Sequence, residues 1–90
     1  MKTKKIEQKD STIYLIEHGS RTFKFVEYKE DVWLDKKRYP NQTKPLNKKG
    51  STEFFILMDN LNLPFAMWSN IKNVHNVKRA KEFVRNREYL

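Results

Sequence analysis

A two-residue break, Gly19-Ser20, separates two strand-forming runs and dictates how they must pair. The first, Thr12 to His18 (TIYLIEH), and the second, Arg21 to Tyr28 (RTFKFVEY), are rich in β-branched and aromatic residues. Such side chains suit a pleated, half-buried surface. Glycine at the first position of a two-residue loop selects a type II′ hairpin turn. That turn predicts Ile16 opposite Phe23 and Tyr14 opposite Phe25 on one face. It places Glu17 opposite Thr22, Leu15 opposite Lys24 and Ile13 opposite Val26 on the other. The first face is wholly apolar and is the predicted core. The second is mixed, which implies partial cover. A slip of one residue would exchange the faces, so the segregation itself specifies the register.

A lone hairpin is marginal in water, and the remaining chain must supply its partners. After a turn at Glu30-Asp31, Val32-Trp33-Leu34 reads as a short third strand of a meander. Thr52 to Met58 fits either a strand or a helix turn; its aromatics favour a fourth strand, while Ser51 as an N-cap favours a helix. The balance goes to strand. Pro64 suits the first turn of a helix over Leu63 to Trp68. The best helix signal lies in Asn76 to Leu90, with Asn76 as N-cap and Val77, Ala80 and Val84, flanked by Phe83, as the apolar stripe. An earlier start near Ser69 would add Ile71 and Val74 to that stripe.

The predicted class is α+β: an antiparallel three- to four-stranded sheet packed against one or two C-terminal helices. Ninety residues support one domain. Residues 1–10 read as a basic, frayed N-terminal arm pinned by Ile6, and residues 11–90 as a single α+β domain with a basic loop at 35–51. The arm has lysines but no apolar stretch, so no signal peptide is expected. No apolar run approaches the ~20 residues of a membrane span. The absence of cysteine fits a reducing compartment. The expectation is a soluble, cytoplasmic protein.

Nineteen Lys and Arg against eleven Asp and Glu give a net charge of +8. On a domain this small that is a strong field, and it points to a polyanion. The same balance also arises as a plain solubility surface, so clustering is what matters. The loop at 35–51 clusters Lys36, Lys37, Arg38, Lys44, Lys48 and Lys49 against one acid, Asp35. Clustered cations bind phosphate by releasing counterions. Lys36, Lys37, Arg38, Lys48 and Lys49 are the predicted phosphate contacts, and Tyr39, with Trp33 nearby, is the predicted base-stacking residue. Lys78, Arg79, Lys81 and Arg85 of the helix would extend the patch if the helix lies beside the loop. Arg85 and Arg87 near a helix C-terminus also stabilise its dipole.

The leading expectation is therefore a non-enzymatic nucleic-acid-binding protein, with RNA favoured over DNA and no cofactor. Exposed aromatics and the lack of a clear helix-turn-helix tip the choice to RNA. His18 and His75 have no acid at ligand spacing, so no metal site is expected. A small metal-independent ribonuclease using His75 with Arg79 is the enzymatic alternative. In shortness and in Lys/Asn-rich composition the chain resembles the small proteins of lytic phages, many of which bind and redirect or inhibit a host factor. That resemblance implies a host protein or ribonucleoprotein as partner; the positive face would then meet an acidic surface or recruit RNA as a bridge. It assigns no role to any residue. The bulky apolar residues of Phe54 to Met58 and Phe65 to Trp68 exceed what so small a core can bury, and the surplus predicts a homodimer interface.

Overall fold

The hairpin forms in the predicted register, with Ile16 on Phe23, Tyr14 on Phe25 and Leu15 on Lys24 in a computed structural model that describes residues 1–58, 66–71 and 73–90. Gly19 takes φ 62° and Ser20 does not follow it into positive φ, as a type II′ turn requires. Around the hairpin the described residues build a five-stranded antiparallel sheet in the order β1 (Lys2–Glu7), β2 (Ser11–His18), β3 (Arg21–Tyr28), β4 (Thr52–Leu57) and β5 (Trp68–Asn70). One helix, α1 (Val77–Arg85), follows. The class is α+β.

Four expectations are corrected. The N-terminal residues are not a frayed arm: Lys2–Glu7 pair along β2, which would otherwise be a bare edge. Glu7 anchors the strand end by accepting from Thr12 Oγ1 at 2.9 Å and Lys29 Nζ at 3.0 Å. Its polar, lysine-rich character is that of an edge strand, where charge discourages further pairing. Val32-Trp33-Leu34 is not a sheet strand. The free edge of β3 is taken by β4, leaving Val32 a single bridge to Asn47. The helix does not reach back to Ser69, because Trp68–Asn70 satisfy the outer edge of β4 as β5. The proposed helix over Leu63 to Trp68 falls partly outside the described residues, and its described end is extended. Among the described residues there is one helix, within the expected one or two, and the sheet has five strands where three or four were expected.

The core lies between one sheet face and α1. Ile16, Phe23, Phe25 and Phe54 meet Ala80, Phe83 and Val84 there, joined by Val74. Phe54 stands edge-on to Phe83 at 5.4 Å and to Phe25 at 6.1 Å, a geometry that suits the ring quadrupoles. Asn76 caps the helix as predicted, its side chain accepting from Arg79 N at 2.8 Å. At the other end Arg87 takes φ 52°, Arg87 N donates to Val84 O and Glu88 N to Phe83 O. That is a Schellman closure with arginine where glycine is usual. It folds Tyr89 back over Phe23, ring centroids 5.0 Å apart.

Two ionisable groups tie strand ends together. Lys29, Thr12 and Lys5 hold the Glu7 carboxyl down to about 2. Burial, then the hydrogen bond to Glu53, pushes the Tyr28 hydroxyl well above its usual range. A depressed carboxyl contributes stability that is complete above pH ~4.5 and fades as pH falls toward 2. A raised phenol contributes stability that is complete below pH ~10 and fades as pH rises beyond it. Thermal unfolding across pH should therefore show two limbs. Glu7→Gln should shorten the acid limb, modestly because the site is exposed. Tyr28→Phe should shorten the alkaline limb and lower stability at neutral pH by about 1–2 kcal/mol, by leaving Glu53 without its donor.

Candidate nucleic-acid interface

The segment between β3 and β4 leaves the sheet and returns through a hydrogen-bonded neck. Tyr28 N donates to Ser51 O and Gly50 N to Tyr28 O, with Gly50 at φ 88°. Beyond the neck, Val32 and Asn47 exchange both backbone hydrogen bonds. Gln42 latches the tip: it accepts from Leu34 N at 3.0 Å and donates to Leu34 O at 3.0 Å and Tyr39 O at 2.8 Å. These bonds define the path of a long loop that would otherwise carry many free backbone groups.

On this frame Lys36, Lys37, Arg38, Lys44, Lys48 and Lys49 are all exposed. The nearby acids do not neutralise them. Asp31 accepts from Lys49 N at 2.8 Å, and Asp35 from Lys37 N at 3.1 Å, so both serve the backbone. No ion pair reaches any of the six cations among the described residues. Trp33 and Tyr39 keep 38% and 48% of their surface in solvent, so neither ring belongs to the core. Lys36 Nζ lies 5.9 Å from the Trp33 ring and the Arg38 guanidinium 5.9 Å from the Tyr39 ring. A shallow cavity of 290 Å³ opens between Trp33, Lys36, Pro40 and Gln42.

The helix cations are differently placed. Lys78 and Arg85 are exposed and Lys81 is half-buried. Arg79 grips Glu88 with both guanidinium nitrogens at 2.7 Å. That bidentate pair joins the first turn of α1 to the chain beyond it. Neither the hydrogen bonds nor the ion pairs of the described residues link α1 to the basic loop. The loop thus carries Lys36, Lys37, Arg38, Tyr39, Lys48 and Lys49 on one excursion, while Lys78, Arg79, Lys81 and Arg85 stand on α1. His75 is exposed and shares no hydrogen bond with Arg79, whose head is held by Glu88. No cluster of metal-ligating side chains occurs among the described residues. No helix among them is long and apolar enough to cross a membrane.

One surface was not read from the sequence as a site. The sheet face opposite α1 carries Lys4, Leu15, Lys24, Phe55 and Asn70 as successive partners across all five strands. Trp68 stands beside them, opposite Leu57. Lys24 Nζ lies 4.9 Å from the Phe55 ring and 4.5 Å from the Trp68 ring. The mixed hairpin face hinted at this surface, but its aromatics come from strands whose pairing is not local. Comparison with known protein families, curated proteins and solved structures finds no match for this chain.

Proposed function

We propose that this chain is a small non-enzymatic protein that binds single-stranded nucleic acid, RNA in preference to DNA, mainly through phosphate contacts. The observation that carries this reading is the loop's charge: six exposed cations without an acid partner among the described residues, on the same loop as two solvent-exposed aromatic rings. Phosphates supply the missing counter-charge, and unpaired bases supply faces for Trp33 and Tyr39. A duplex hides those faces, which favours a single strand.

Fluorescence anisotropy with a labelled single-stranded RNA, its DNA counterpart and the duplex tests this over about 50 to 300 mM salt. Each engaged phosphate contributes about −0.7 to the log–log slope on a single strand, so full use of the loop cations gives a slope near −4. Binding that ignores salt, or no binding at the lowest salt, would retire the proposal. Trp33, Leu34, Tyr39 and Leu46, all exposed on the same loop, favour a second reading as an inhibitor that docks on a host protein. Under that reading a pull-down retains its protein partner after nuclease treatment.

A further inference from the structure

We propose that the sheet face opposite α1, centred on Lys24, Phe55 and Trp68, is a second contact surface on which unpaired bases of a single-stranded nucleic acid stack. The inference rests on the nucleic-acid reading above and adds to it a surface that the basic loop does not include.

The argument begins with side-chain alternation. Facing residues of paired strands share a face. Tyr14, Ile16, Phe23, Phe25, Phe54 and Ile56 point toward α1 and form the core. Their neighbours Leu15, Lys24, Phe55 and Leu57 therefore point away from it, and each is only half-buried. The single helix among the described residues is engaged on the other side. Two aromatic rings thus stand on adjacent strands of a face that the helix does not cover.

The charge on this face selects the occupant. Lys2, Lys4 and Lys24 lie on it, with Glu17 opposite Lys2 and Glu53 at the far end bonded to Tyr28. Among the described residues Lys4 and Lys24 have no ion pair. An apolar partner surface would have to desolvate these ammonium groups with nothing to pair them. A strand of nucleic acid matches both components, since its bases take the rings and its phosphates take the lysines. Lys24 occupies the pivot. With the face empty its ammonium rests on Phe55 and Trp68; with a strand bound it turns to a phosphate and frees the rings. Asn70, exposed and directly opposite Phe55, supplies an amide for a base edge. A shallow 460 Å³ cavity lined by Lys2, Thr3, Lys4, Leu15 and Glu17 extends the surface to β1.

The test uses the full chain with unstructured RNA and DNA oligonucleotides. In a Trp33→Phe protein Trp68 is the sole tryptophan. Single strands should quench its emission, and a duplex should quench it less. Phe55→Ala combined with Trp68→Ala should weaken single-strand binding at least about tenfold while leaving the salt slope unchanged, because stacking is lost and no phosphate contact is. Oligonucleotide binding with Trp68 emission unmoved and the double variant unimpaired overturns this surface and leaves the loop reading standing. No binding of any single strand by the unmodified chain at low salt overturns both. Should the double variant fail to fold, the Trp68 signal alone decides.

Discussion

Phe54→Ala should remove most of the stability of this chain, lowering the midpoint of thermal unfolding by roughly 20 °C or more. Phe54 is 1% exposed and lies within 6.1 Å of the rings of Phe23, Phe25 and Phe83. Truncating a buried phenylalanine costs about 3–5 kcal/mol, part lost transfer energy and part the cavity left behind. A single core in a domain this small supplies a net stability of similar size, about 5 kcal/mol. The loss is therefore comparable to the whole margin. The adjacent Phe55→Ala should behave quite differently. Phe55 points away from α1, with Lys24 Nζ 4.9 Å from its ring, so about 1 kcal/mol is expected. Urea unfolding of the two variants side by side measures the contrast. Equal damage from both would mean that the sheet is buried on both faces, and the base-stacking surface would lose its basis.

That contrast also marks where the sequence stopped being informative. Within Thr52 to Met58 the residues Phe54 and Phe55 are chemically identical neighbours. Only the pairing of Phe54 with Phe25, and of Phe55 with Lys24, assigns one to the core and the other to the open face. That pairing spans the long loop and leaves no local trace. The Gly19-Ser20 hairpin was legible because turn geometry and face segregation agree over a short distance. The Asn76 cap and the stripe of Ala80, Phe83 and Val84 were legible for the same reason. The strand Lys2–Glu7 was missed because an edge strand needs few apolar residues, and its lysines read as disorder. Trp68 was assigned to a helix because an apolar segment after a proline carries no sign that β4 needs a partner. The basic loop could be read as a run of charge. Asp35 within it and Asp31 just before it, however, accept from the backbone of Lys37 and Lys49, a fact visible only once the loop is folded.

The loop's role is decided by comparing two variants that remove the same charge. Lys36, Lys37 and Arg38 changed together to alanine should reduce the salt slope of RNA binding by about 2, at ~0.7 per lost phosphate contact. Affinities of parent and variant then converge near ~1 M salt and differ by about 100-fold at ~0.1 M. Lys78, Lys81 and Arg85 changed together lower the net charge equally. They leave the loop intact, and they spare Arg79, whose pairing with Glu88 is structural. If the loop alone holds the phosphates, the helix variant should lose only what the diffuse field supplies, less than about fivefold at the same salt, because salt screens charges that make no direct contact. All six side chains are at least partly exposed and none forms an ion pair among the described residues, so both variants should keep their fold. Anisotropy titrations at four or more salt concentrations separate the outcomes. Equal losses in the two variants would show that charge acts here as a diffuse field, and the assignment of phosphate contacts to the loop would fall. A loop variant that binds RNA like its parent would move the electrostatic site to the lysines of β1 and β3, beside Phe55 and Trp68.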